Sequence, residues 1–273
     1  MTTASATTSH RPDEELPAGP VWALRDSINE AGRHLRAVPR SPELLIFATL
    51  QPVMFVLLFR YVYEGSINIP GIKYVQYLLP GIFAQTVLFG SAFTGVGIAE
   101  DLSKGFIDRL RSLPISQAAV LIGRSLSDLA RNVVTFIAML MLAFLVGFRW
   151  EGGIASGIAA TLILLAFSYS FSWIHALVGL SVGSVEAANS AGFVWMFPLT
   201  FVSSAFVPTA NMPSALRWVA ERNPFTIVTN ASRALYNGYP AGSLVWQSIA
   251  WAVGITLVFS TLAIAKFRRA ASR

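Results

Sequence analysis

Apolar runs of about twenty residues recur along this chain, and at roughly 1.5 Å per residue each is long enough for a helix to cross a bilayer. A water-soluble domain has no use for so much uninterrupted apolar sequence. Of 273 residues, 54% are hydrophobic and only 12% charged, with mean hydropathy +0.59, so a globule of this composition could not cover its surface in water. The chain is therefore read as an all-α polytopic membrane protein. It has no Cys, which excludes a disulfide framework, cysteine-based metal sites and a thiol nucleophile. Its net charge of +6 could suggest nucleic acid, but the basic residues fall between apolar runs instead of forming a stripe.

Residues 1–20 are rich in Thr, Ser and Pro and read as a disordered tail. From Val21 the pattern changes: Val21, Leu24, Ile28, Ala31, Leu35 and Val38 recur at helical spacing, with Arg25, Asp26, Glu30, Arg33 and Arg36 on the other faces. That spacing predicts an amphipathic helix over 21–39 lying in the headgroup plane. The transmembrane unit covers 40–269, with spans at about 44–63, 75–99, 118–147, 154–183, 187–207 and 244–265, and 270–273 is a tail. Fourteen of the twenty basic residues fall in the first segment, in Lys104 to Arg131 and at the C-terminus, which favours six spans with both ends cytoplasmic.

The polar segments carry the remaining information. Glu100 to Ser116 cannot sit in hydrocarbon, and Leu102, Phe106, Leu110 and Leu113 make it a short amphipathic helix ended by Pro114. Arg124, Asp128 and Arg131 share one face of the third run, where opposite charges can partly neutralise one another at the membrane boundary. Gly153 with Gly157 and Gly179 with Gly183 are small-residue pairs that allow close helix approach. His175 stands alone in its span and reads as a packing residue. Pro208 to Pro240 is too polar to span and too apolar for a loop; two amphipathic helices broken at Asn223-Pro224 and partly re-entering the interface satisfy both constraints.

Several stretches resemble one family. Arg40-Ser-Pro-Glu-Leu-Leu-Ile-Phe-Ala-Thr-Leu-Gln-Pro, Tyr77-Leu-Leu-Pro-Gly-Ile, Glu100-Asp-Leu-Ser-Lys-Gly-Phe-Ile-Asp-Arg-Leu-Arg-Ser-Leu-Pro-Ile and Asn223-Pro-Phe-Thr, in that order, are similar to the ABC type-2 permeases of the daunorubicin/doxorubicin-resistance exporter class. The resemblance covers about Val21 to Arg269. It implies the membrane subunit of an ATP-driven exporter of lipophilic or amphiphilic molecules in a bacterial cytoplasmic membrane. Two permease chains, alike or different, would pair with two ATPase subunits.

ATP and Mg would bind on that partner, because this chain has no Gly-x-x-x-x-Gly-Lys-Ser/Thr phosphate loop. In the family the helix after the second span is a coupling helix seated on the ATPase. Here it corresponds to Glu100, Asp101, Leu102, Phe106, Asp108, Arg109, Leu110, Arg111, Leu113 and Pro114, with the apolar residues as grip and the charged ones as rim. The resemblance also implies a substrate pathway along the second and fifth spans, through Gln85, Phe89, Phe93, Trp195, Phe197, Thr200 and Ser204. Pro208 to Pro240 corresponds to the family's outer re-entrant helices.

Two other classes compete. An ion-coupled secondary carrier would place a titratable group near mid-membrane, and the interiors of all six runs lack carboxylates. A membrane-embedded enzyme would need a convergent nucleophile, base or metal set, and His10, His34 and His175 are scattered. The coupling assignment is testable: Phe106→Ala and Leu110→Asp should leave the chain inserted yet separate ATP hydrolysis from transport. Normal transport by well-expressed variants would remove the assignment.

Overall fold

The computed structural model describes residues 50, 52–63, 71–105 and 117–271. The amphipathic helix expected at 21–39, the start of the first run and residues 106–116 lie outside them. Among the described residues every regular element is helical. Helix α1 covers 52–63, its last five residues, Phe59–Tyr63, wound as a π-helix. It is followed by α2 (Tyr74–Ser103), α3 (Gln117–Leu145), α4 (Gly153–Gly179), α5 (Val185–Phe201), α6 (Ser214–Arg222), α7 (Pro224–Asn237) and α8 (Leu244–Ala271). Four stretches are long and apolar enough to cross a membrane: Tyr74–Ser103, Leu121–Leu145, Gly153–Gly179 and Leu244–Arg269.

Several boundaries differ from the sequence expectation, each for a local reason. The second helix continues through Glu100, Asp101 and Leu102, which therefore close α2 instead of opening a new helix. Glu100 and Lys104 pair at 2.5 Å across one turn, and the helix stops where Gly105 takes a φ of +64°. The fourth helix ends at Gly179, and residues 180–184 turn the chain. Ser184 then caps α5 by accepting the Ala187 N–H at 3.1 Å, so Glu186 lies in the first helical turn and not in the loop. At its other end α5 stops at Phe201, and 202–207, expected as the end of a span, are not helical. Helix α8 runs beyond residue 265 through the basic tail.

Helix α2 is the centre of the bundle, packed against α3, α4, α5 and α7. Leu78, Leu79, Ile82, Phe83, Ala84 and Leu88 are all buried. Phe83 meets Phe136 of α3, Phe148 of the turn before α4 and Tyr236 of α7 edge to face, with centroids 5.3, 5.5 and 5.9 Å away. A second tie is polar: Asn132 of α3 and Ser168 of α4 both donate to the Val87 carbonyl of α2, at 3.3 and 2.9 Å. That carbonyl thus joins three helices.

Where α2 and α4 cross, their backbones touch. A Cβ on Gly179 would lie 2.3 Å from the Gly95 carbonyl oxygen. Of the other small residues singled out by spacing, Gly157 packs under the Trp150 indole, while Gly153 and Gly183 face open space. His175 is a buried packing residue. Its Nδ1 lies 3.0 Å from the Phe171 carbonyl and 3.1 Å from Ser91 Oγ, and its ring packs on Trp195 at 5.0 Å. Gly179→Leu should therefore overpack the crossing and cost about 1–3 kcal/mol, read as a lower unfolding temperature in detergent. Gly254→Leu, at a position with nothing within 4 Å, is the control and should leave it unchanged.

Candidate functional site at the unwound end of α5

Pro198 sits inside α5, where its missing N–H leaves the Val194 carbonyl without its helical donor. The helix ends three residues later, and the chain continues without regular structure through a buried region: Ser203, Ser204, Ala205 and Phe206 are all buried. Irregular backbone in an apolar setting is tolerated only where other protein groups satisfy its N–H and C=O groups. Three elements do so here.

From α2, the Tyr77 hydroxyl donates to the Ser204 carbonyl at 2.9 Å and the Tyr74 hydroxyl to the Phe206 carbonyl at 3.4 Å. One turn on, a Cβ at Gly81 would come within 2.3 Å of the Ala205 carbonyl oxygen, so only glycine lets the unwound strand lie this close. Pro80 contributes differently: it removes the N–H that would serve the Gln76 carbonyl, and Asn237 of α7 supplies one from Nδ2 at 3.3 Å.

From the junction of α6 and α7, Asn223 uses both ends of its amide. Its Nδ2 donates to the Leu199 and Val202 carbonyls at 2.7 and 2.8 Å, serving the last turn of α5. Its Oδ1 accepts the Phe225 N–H at 2.8 Å and caps α7, with Pro224 at the first helical position, where no N–H is needed. Phe225 is fully buried and Thr226 Oγ1 accepts the Ser204 N–H at 3.2 Å. Each residue of Asn223-Pro-Phe-Thr thus has a stated job.

From α7, Arg233 closes the set. Its Nη2 donates to the Ser204 and Ala205 carbonyls at 2.9 and 3.4 Å, its Nε to the Tyr77 carbonyl at 2.9 Å, and its Nη1 to Asn230 Oδ1 at 2.5 Å. The guanidinium lies 3.7 Å above the Tyr77 ring. None of these partners is a carboxylate; carbonyl dipoles and one aromatic face hold the charge. Burial pushes the Arg233 pKa below its ordinary value, and Tyr77 opposes that shift. Lys could not replace this geometry, because the planar fork serves three directions at once. Burial likewise pushes the Tyr236 hydroxyl upward, against its hydrogen bond to Thr161.

The expected pathway residues divide into two groups. Phe89 meets Phe193 and Phe197 edge on at 5.8 and 5.5 Å, and the rings continue through Phe201 to Phe206 at 6.0 and 5.4 Å. With Phe93, Phe197 and Phe201 each 41–48% exposed, this is an aromatic strip on the bundle surface that runs to the unwound segment. Trp195, Thr200, Ser204 and Gln85 are turned inward. Trp195 stacks on Phe171 at 5.5 Å, Thr200 donates to the Met196 carbonyl of its own helix at 2.9 Å, and Ser204 donates to Asn230 Oδ1 at 2.8 Å. Gln85 is buried with its Nε2 unpartnered. Of the expected coupling residues, Glu100, Asp101 and Leu102 close α2, and Phe106, Asp108, Arg109, Leu110, Arg111, Leu113 and Pro114 lie outside the described residues.

Sequence reasoning did not single out Tyr77, Gly81, Asn223 or Arg233 as a set. The available signal was the pair of stretches around Pro80 and Pro224, which the structure brings to the same six residues. Among the described residues no three His, Asp or Glu side chains gather as a metal site. Asn223→Asp keeps the α7 cap but turns a carboxylate toward two carbonyls. It should destabilise the fold at least as much as Asn223→Ala, for which we expect a loss of about 1–3 kcal/mol by thermal unfolding in detergent.

Comparison with known proteins identifies a family. The ABC-2 type transporter family model matches residues 31–237. The daunorubicin resistance ABC transporter permease protein DrrB1 of Streptomyces coeruleorubidus is 32% identical over 246 residues, 90% of this chain and 87% of that one. The probable doxorubicin resistance ABC transporter permease protein DrrC of Mycobacterium tuberculosis is 23% identical over 250 residues, 91% and 90% of the two chains. YbhR of Escherichia coli, a probable multidrug ABC transporter permease, is 27% identical over 73% of this chain and 54% of its own. These relatives are permease subunits, which do not themselves hydrolyse ATP. The chain belongs to the ABC-2 type transporter family, as a membrane permease.

Proposed function

We propose that this chain is the permease subunit of an ATP-driven exporter, moving lipophilic or amphiphilic molecules across a bacterial cytoplasmic membrane. Hydrolysis of ATP with Mg takes place on a separate ABC ATPase, and a second permease chain completes the pathway. Six spans with cytoplasmic termini fit the distribution of charge. The pole formed by the end of α2, the start of α3 and the end of α8 carries Lys104, Arg124, Arg131, Lys266, Arg268 and Arg269. Lys266 reaches Ser181 of the α4–α5 turn at 2.8 Å, so that turn belongs to the same pole. The opposite pole holds α6, α7 and the unwound end of α5.

The observation that carries this reading is the exposed aromatic strip, which starts near the basic pole at Phe93 and ends at the unwound segment. Aromatic faces with few fixed polar groups suit flat, lipophilic cargo better than a small hydrophilic solute. The names of the relatives, daunorubicin and doxorubicin resistance permeases, point to the same class. No reactive group is required of this chain. ATP-driven closure on the partner, passed on through the coupling segment, favours one packing of the helices over another, and accessibility changes with it.

The reading is tested by co-expressing the chain with its ABC ATPase, reconstituting the purified complex and following ATP-dependent uptake of a lipophilic cation into inverted vesicles. Uptake that needs both subunits and ATP is the expected result. A complex that fails to form, or uptake that follows a proton gradient in the absence of ATP, would replace this reading with an ion-coupled carrier.

A further inference from the structure

Four charged side chains at the basic pole form a linked set that no chemistry described so far employs. Asp101, in the last turn of α2, pairs with Arg124 of α3 at 3.2 Å. Arg124 also reaches Asp128 at 3.4 Å through Nε, and Arg131 pairs with the other oxygen of Asp128 at 2.9 Å. The Arg131 guanidinium lies 4.5 Å over the Phe93 ring of α2. Two carboxylates and two guanidiniums cancel, so the set is neutral as a whole.

The residues also follow a register. Helix α2 contributes Phe93, Gly97 and Asp101, four residues apart along one face; α3, antiparallel, contributes Arg131, Asp128 and Arg124 along the facing side. Gly97 belongs to the arrangement, since a Cβ there would come within 1.6 Å of Arg124 Nη2. The Nη2 end of the guanidinium fills the space a side chain would take. The same register continues upward through Gly90 against Asn132 and Phe83 against Phe136. Asp128 is 5% exposed, so water screens its two pairs weakly, in contrast to the exposed Glu100–Lys104 pair nearby.

We propose that Arg124 is a positioning residue for transport: with Asp101, Asp128 and Gly97 it fastens the end of α2 to the start of α3, so that both helices move together when the segment joining them is pushed. The segment bounded by Ser103 and Gln117 is where the coupling reading places the ATPase contact, and the inference rests on that reading for its functional consequence. Without the link, a push on that segment would splay the two helix ends. With it, the push is carried along α2, roughly 30–36 Å from Asp101 to Gly81 and Tyr77 at the unwound end of α5. Arg124 suits the task because one fork engages two carboxylates in different directions, which a Lys ammonium on a single stem does not reproduce.

Because the chain has no cysteine, the link can be tested on a clean background. A local measurement, independent of any ATPase, comes first: spin labels at Ser103→Cys and Ile122→Cys report the separation of the two helix ends. Asp101→Asn and Arg124→Gln should each broaden that distance distribution, and the double variant should broaden it no further than either single one. Unchanged distributions, or additive broadening, would overturn the link.

The functional measurement then uses the reconstituted complex, with Asp101→Cys and Arg124→Cys combined. Uncrosslinked, this pair should retain ATP hydrolysis but lose at least about tenfold in molecules moved per ATP. A short bifunctional maleimide bridging the two thiols should restore most of it, since the proposal requires a tie and not a charge. Full transport without the bridge, or no recovery with it, would overturn the assignment. A parent complex that shows no ATP-driven transport would fail the exporter reading alone, and the spin-label result would still decide the link.

Discussion

Backbone that leaves a helix inside an apolar bundle must find every hydrogen bond from its neighbours. The rest of this structure depends on how six residues at the end of α5 meet that demand. Leaving one buried carbonyl unserved costs on the order of 1–3 kcal/mol, and this segment presents several together. Their partners come from α2, from the α6–α7 junction and from the interior of α7, so these elements can only be assembled in one arrangement around the unwound strand. Arg233 does most, through a guanidinium whose charge is balanced by carbonyl dipoles instead of a carboxylate. A buried ion pair would have held one partner; a fork aimed at carbonyls gathers α2 and the strand at once.

The two ends of α2 use different physics. At the unwound strand the contacts are short hydrogen bonds to backbone, sensitive to fractions of an ångström and indifferent to salt. At the basic pole they are charge pairs, less demanding of geometry and responsive to what surrounds them. Between the two, the interior is close-packed aromatic and glycine contact, with Phe83 amid Phe136, Phe148 and Tyr236 and with Gly95 against Gly179. Such a middle resists compression, so displacement at one end has nowhere to dissipate before it reaches the other.

The sequence made much of this legible, and the reasons for the remainder are specific. Hydropathy located the long helices, and Asn223-Pro224 marked the break between α6 and α7, because those signals are local. Residues 202–207 read as helix because Val202, Ala205, Phe206 and Val207 are apolar, and hydropathy reports burial without reporting whether the backbone is wound. Hydropathy separates Glu100 to Ser103 from α2 because Glu100, Asp101 and Ser103 are polar, although a polar turn can continue a helix beyond the apolar stretch. The coupling of Asp101 to Arg124 could not be read, since it depends on which faces of two helices meet across 23 residues of chain. Arg124, Asp128 and Arg131 were visible as a triad on one helix and lacked only their partner. For the aromatic strip, composition supplied the phenylalanines, and only packing distinguished Phe197, exposed at the surface, from Trp195, half-buried and turned toward α4.

The turn at residues 180–184 has a geometric consequence for α5. Five residues cannot let two helix ends drift apart, so α5 is leashed to α4 at the basic pole, while the hydrogen bonds around Ser204 and Ala205 pin it at the other. A rod held at both ends cannot slide along its axis. What the two anchors fix is depth: Phe197 and Phe201 keep their level along the bundle, one turn apart, whichever neighbour faces them.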